Sequence, residues 1–175
     1  MATFRDIKKE FFNLDVKEQE QLLKELYNFS KDTKQFLNTR LMNDGEEAFI
    51  EEIKKATDYY THSGIPKEIS PRKINSIISK AKKSKVNTKI IIEMELIAFK
   101  AYMNFLNDFG GGPEIYEDKI YDHLKNYLEL LLSNQLNSDI ATKIDEMKNY
   151  LYKNQNMYYD HIWELFQDLT GVEVD

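Results

Sequence analysis

Cysteine does not occur among the 175 residues, which excludes disulfides, thiolate metal sites and cysteine nucleophiles. Glycine occurs six times and proline three times, and they cluster where helical patterns stop. No convincing run of alternating β-branched residues is present, so strands are not expected. The opening, MATFRDIKKE, carries Arg5 and Asp6 in place of an apolar core, unlike a secretory leader. The longest apolar stretch, Ile90 to Leu106, is broken by Glu93, Glu95 and Lys100. Each such charge costs about 2.5–3.5 kcal/mol at a bilayer centre, so no membrane span is expected and the cytoplasm is the expected compartment. Histidine is limited to His62, His123 and His161. Neither Glu-x-x-His nor His-x-x-x-His is found, which excludes the dinuclear helical carboxylate site and zinc-protease chemistry. Asp122-His123 and Asp160-His161 would make a metal site only if their two helices converged. A Gly-x-Ser-x-Gly elbow is missing too. No motif supports an enzyme, and neither a metal nor another cofactor is expected.

What is present belongs to a folded helical protein. Apolar residues make up 42% and aromatics 13% of the chain, the composition of a globule with a core. A first short helix is expected from about Phe4 to Phe12. Asp15 and Glu18 have capping-box spacing ahead of a second helix with Leu22, Leu23, Leu26 and Tyr27 on one stripe. Ser30 caps a third, and Asp44 a fourth that carries Phe49, Ile53, Ala56 and Tyr60. After the loop THSGIPKEIS, Ser70 and Pro71 are an N-cap and first-turn pair for a fifth helix on Ile74, Ile77, Ile78 and Ala81. Asn87 caps a sixth that runs to Phe109. The seventh begins at Pro113 and ends near Ser133. The eighth starts after Ser138, and the ninth ends at Gly171. The expected fold is therefore all-α, one domain over 1–175. Antiparallel helical hairpins stack around the sixth helix, with a subdivision at 1–62 and 70–171. Tyr121-Asp122-His123-Leu124 and Tyr159-Asp160-His161-Ile162 echo each other 38 residues apart, a spacing suited to two-helix repeats.

The net charge of −6 is unevenly placed. Residues 72–92 hold seven basic residues and no acid, against −3 before and −10 after. An amphipathic helix with lysines outward is most simply a solvated face. Its functional alternative is a polyanion site, RNA or an acidic partner, on Arg72, Lys73, Lys80, Lys82, Lys83 and Lys85.

The stretch NDFGGGPEIYED has glycines before a helix start, as a phosphate loop does. It lacks the preceding strand and the lysine, and Asp108, Glu114, Glu117 and Asp118 would repel a phosphate. A hinge explains it better. Gly110 is a left-handed cap, and the acids complement the helix dipole by about 0.3–1 kcal/mol each. A cation, or a partner's basic group, held at Asp108 and Glu117 is the functional alternative. Glu95 falls inside the apolar arc of the sixth helix. A buried carboxylate must be paired, hydrogen-bonded or protonated. A tyrosine, arginine or histidine partner is the structural reading, and a cleft-lining acid of a small-molecule or hydrolytic enzyme the catalytic one.

Three segments carry a resemblance: IKKEFFNLDVKEQEQLLKELYNFSKDTKQFLNTRL, SPRKINSIISKAKK, and the NDFG turn followed by EIYEDKIYDHLKNYLELL. In order they span residues 7 to 132. They resemble an uncharacterised family of small bacterial all-helical proteins, a domain of unknown function. Asn107-Asp108-Phe109-Gly110 with Tyr116 is the most specific part. The triple glycine, where that family tends to have acids, is a departure that argues against a cation in the loop. The resemblance implies an all-helical fold and no activity. From the residues, the leading expectation is a non-enzymatic interaction protein that binds another protein, a peptide or its own copy in a groove between helices. The face around Asp108, Tyr116 and Trp163 is its expected site.

Overall fold

The computed structural model describes residues 1–42, 45–134, 139–155 and 159–172. These form nine α-helices and one isolated β-bridge, between Tyr60 and Pro66. The chain divides into two compact units, Met1–Gly45 and Glu46–Asp175. The division does not fall in the loop at residues 62–70. Helix α4 packs on α5 and α6, which places it with the second unit.

The first unit contains α1 (Phe4–Asn13), α2 (Val16–Phe29) and α3 (Lys31–Met42). Local chemistry sets each start. Thr3 and Asp6 form a capping box at α1, with Asp6 Oδ2 accepting the Thr3 N–H at 2.9 Å. Asp15 and Glu18 form another at α2, with bonds of 2.8 and 2.9 Å. Ser30 Oγ accepts the Thr33 N–H at 3.0 Å to start α3. Capping of this kind is worth about 0.5–2 kcal/mol per helix. Helix α2 packs on α3, yet the sole buried side chain in the three helices is Thr39.

The second unit contains α4 (Glu46–Thr57), α5 (Pro71–Lys83), α6 (Thr88–Phe109), α7 (Ile115–Ser133), α8 (Ile140–Lys153) and α9 (Tyr159–Thr170). The cap expected at Asp44 lies outside the described residues, while the helix expected after Ser138 begins at Ile140. Helix α6 is the centre, packed against α4, α5 and α7, while α7 also packs on α9 and α9 on α8. Its buried residues include Met94, Ala98, Phe99, Tyr102, Met103 and Leu106. They meet Phe49 and Ile53 from α4, Ile74 and Ile77 from α5, Ile120 and Leu124 from α7 and Phe166 from α9 in one apolar cluster. Full burial of each large apolar side chain contributes about 1.5–3 kcal/mol. The polar strip of α6 is partly overlaid by α8. Tyr150 donates to Asn104 Oδ1 at 2.8 Å, and the Lys100 ammonium lies 4.9 Å from the Tyr150 ring centre.

The turn from α6 to α7 uses glycine for two separate reasons. Gly110 is left-handed at φ 65° and caps α6, a conformation side chains disfavour. A Cβ on Gly112 would lie 2.9 Å from Leu106 Cδ2 and 3.1 Å from Phe105 Cε1. Helix α7 begins at Ile115, two residues later than Pro113. The Tyr116 and Glu117 N–H groups first bond the carbonyls of Pro113 and Glu114 three residues back, so a tight turn precedes the α-helix proper. The Tyr-Asp-His echo does not mark equivalent positions. Tyr121 lies in the second turn of α7 and Tyr159 opens α9. His123 is buried and His161 exposed.

Candidate functional site

Glu95, on α6, is 1% exposed and lies between α5 and α7. Its Oε1 accepts from Lys82 Nζ at 3.1 Å and its Oε2 pairs with His123 Nδ1 at 2.6 Å. Burial by itself raises the carboxyl pKa. The hydrogen bond and charge of His123, then the Lys82 ammonium, outweigh that effect and hold it below the ordinary value. Glu95 is thus a carboxylate, which orients the imidazole through Nδ1. Lys82 is half exposed along its side chain, so its charge stays partly solvated while its head reaches the core. His123 stacks on Tyr102, ring centres 5.9 Å apart and 11° from parallel. The His123 Nε2 and Tyr102 hydroxyl are buried without a hydrogen-bond partner. A carboxylate paired with an imidazole whose second nitrogen is unpaired also occurs in general-base catalysis, where the neutral imidazole accepts the proton. Here both members are enclosed, which favours the structural reading of Glu95 as a paired core carboxylate. Sequence pointed to a tyrosine, arginine or histidine beside Glu95. It did not single out His123, and it placed Lys82 among outward-facing lysines.

The face expected around Asp108, Tyr116 and Trp163 does not assemble. Tyr116 is 1% exposed, and its hydroxyl accepts the Ile69 N–H at 2.6 Å and donates to the Ile69 carbonyl at 2.9 Å. It ties the loop before α5 to α7. Trp163 is 7% exposed, between Tyr152 and Phe166. Both rings are large enough that core packing claims them first. Asp108 remains at the surface, where its Oδ2 accepts the Tyr59 hydroxyl at 2.8 Å. No group of three or more His, Asp or Glu among the described residues is gathered closely enough to hold a metal ion.

The basic residues of α5 divide. Arg72, Lys73 and Lys80 line a shallow cavity of about 350 Å³ with Ser70, Ser76, Ile77 and Glu52. Lys82 is taken up by Glu95, and Lys83 is exposed. Lys85 sits just past the helix end at φ 53°. Its side chain therefore leaves a turn and does not belong to the helical face.

An apolar surface on the first unit was not singled out from sequence. On α1, Phe4, Ile7, Phe11 and Phe12 are exposed, and on α2 Val16, Leu23, Leu26 and Phe29 are too. Between these helices runs a groove of about 740 Å³, lined chiefly by Phe4, Ile7, Phe11, Phe12, Leu22 and Leu26. The 3.6-residue stripe on each helix was legible. A stripe shows that a face seeks cover and is silent on what covers it.

None of the described helices is long and apolar enough to cross a membrane. Comparison with protein-family models, with curated proteins and with solved structures finds no match to this chain.

Proposed function

We propose that this chain is a non-enzymatic, cytoplasmic protein-interaction module, and that the groove between α1 and α2 takes an amphipathic helix. The observation that carries this reading is the groove itself: about 740 Å³, walled by aromatic and aliphatic side chains of two helices that bury none of their own residues. Exposed apolar faces of that extent mark interaction sites in soluble proteins. A helix with apolar residues at i, i+3 or i+4, and i+7 presents a matching ridge. Asp6, Lys8 and Glu10 at the groove would orient such a helix by charge. The resemblance to an uncharacterised bacterial family supplies no activity, so the reading rests on geometry. The test is selection of a displayed library of amphipathic helical peptides against the full chain. Enriched peptides should carry the apolar spacing and lose about tenfold or more in affinity when Phe11→Asp is introduced. No enrichment, or peptides indifferent to Phe11→Asp, would reject the reading.

A second reading is favoured by the cavity at the start of α5. Arg72, Lys73 and Lys80 line it with two serine hydroxyls, in a stretch of seven bases without an acid. This is a suitable lining for a polyanion. Binding of a fluorescent RNA oligonucleotide should then fall steeply with salt and vanish in a triple Arg72→Gln, Lys73→Gln, Lys80→Gln variant. Salt-independent binding would dismiss it.

A further inference from the structure

Resting on the groove reading, we propose that the occupant is the same region of a second copy of this chain, seated two-fold so that α1 of each copy lies along the groove of the other. The region is both ligand and receptor. Helix α1 is an amphipathic helix with Phe4, Ile7, Phe11 and Phe12 on one stripe, and the groove that α1 and α2 line is the shape such a helix fills. A surface of this kind is self-complementary under a two-fold axis, the commonest symmetry of soluble oligomers. The product is a four-helix arrangement, the ordinary way for helical hairpins to cover their apolar faces.

Charge favours a copy over other occupants. Residues 1–45 hold eight basic and eight acidic groups, a net of zero, while residues 46–175 hold 16 and 22, a net of −6. Two copies therefore repel least through their first units. Within α1, Arg5, Lys8 and Lys9 stand against Asp6 and Glu10, a net of +1. Within α2, Lys17 and Lys24 stand against Glu18, Glu20 and Glu25, a net of −1. Seating α1 in the partner's groove sets it beside both α1 and α2, charges of +1 and −1 that sum to zero, so no net charge opposes the pairing. An anionic membrane surface would instead require a basic polar face, and a neutral unit does not supply one. Size points the same way. A three-helix unit of 45 residues whose sole buried helical side chain is a threonine is close to the size, about 40 residues, below which a core needs a metal, a disulfide or a partner. The chain has no cysteine, and a second copy is the partner always present.

The experiment is sedimentation of the full chain across a concentration series, with Phe12→Asp alongside. The expected mass rises from 20.8 kDa to twice that, and the variant weakens dimerisation by about thirtyfold or more. Circular dichroism shows whether Phe12→Asp keeps its helices. If it does not, a single spin label on Lys9→Cys, unique in a chain without cysteine, reports the same contact. A defined distance between the two labels supports the proposal, and its absence in a dimer overturns it. A dimer indifferent to Phe12→Asp also overturns it. A chain that stays monomeric overturns it as well, and anilinonaphthalene sulfonate then separates the two readings. Dye binding that Phe12→Asp abolishes leaves the groove available to another protein. No dye binding means the face is covered within one chain, and the groove reading falls with the dimer. A monomer that pellets with phosphatidylglycerol vesicles assigns the face to a lipid surface instead.

Discussion

Glu95 exposes the second unit to a single change at one buried side chain. One carboxylate satisfies a lysine from α5 and a histidine from α7 while sitting on α6. A carboxyl with a folded pKa below its unfolded value of 4.5 stabilises the fold fully above that value. It loses the contribution as pH falls through the lower folded value. Stability of the second unit should therefore drop as pH falls below about 4.5. Glu95→Gln should be about 1–3 kcal/mol less stable than the parent at neutral pH, from loss of hydrogen bonds to a charge. The variant's curve should also be flatter on the acid side. Urea denaturation read by fluorescence of Trp163, the one tryptophan and a core residue of this unit, gives both quantities. Parallel pH profiles for parent and variant would show that Glu95 is not the group responsible. Tyr116 offers a second test. Removing its hydroxyl in Tyr116→Phe strands the buried N–H and carbonyl of Ile69, at a cost of about 1–3 kcal/mol. A loss within measurement error would mean that water reaches Ile69 when the hydroxyl is gone.

Element ends were the most legible feature, because caps act over three or four residues and those residues are adjacent in sequence. Asp15 with Glu18, Ser70 with Pro71, and Asn87 occupy the positions their chemistry requires. The end of α5 was not legible, and the reason is physical. A Schellman motif closes it: the Lys85 N–H bonds the Lys82 carbonyl at 3.1 Å and the Val86 N–H bonds the Ala81 carbonyl at 3.4 Å. Buried Val86 and Ala81 supply the apolar pair that accompanies such motifs. The left-handed position that normally takes glycine is held by Lys85 at φ 53°, so the usual punctuation is missing. A side chain in that conformation costs about 1–2 kcal/mol, part of which glycine returns through the freedom of its unfolded chain. Lys85→Gly is therefore expected to raise stability by about 0.5–1 kcal/mol, measured by the same denaturation. A destabilised variant would show that the lysine's charge at the helix C-terminus outweighs the backbone strain.

Across the whole molecule, apolar burial is divided unequally. The second unit encloses side chains from all six of its helices around α6, whereas α1 and α2 bury none. Both carry clear apolar stripes, so periodicity alone made Leu22 and Leu26 look as much like core as Ile74 and Ile77 do. The difference depends on which elements meet, and that is decided by contacts between residues far apart in the chain. The same separation hid the Glu95–His123 pair, 28 residues apart, and made Tyr116 and Trp163 read as surface aromatics. Unequal burial has a consequence for local opening, whose free energy runs from near zero at uncovered segments up to the global value. Amides of α6 and α7 should exchange slowest, with opening near the global stability of about 5–15 kcal/mol. Those of α1 and α2 should exchange fastest in dilute protein. If a second copy covers the groove, mass action protects these helices alone. Hydrogen exchange at rising protein concentration should then slow in α1 and α2 while α6 stays unchanged. Uniform protection of α1 and α6 in dilute protein would show that the first unit's apolar face is already covered in the single chain. Fast exchange in α1 and α2 at every concentration would leave the face open and the second copy elsewhere.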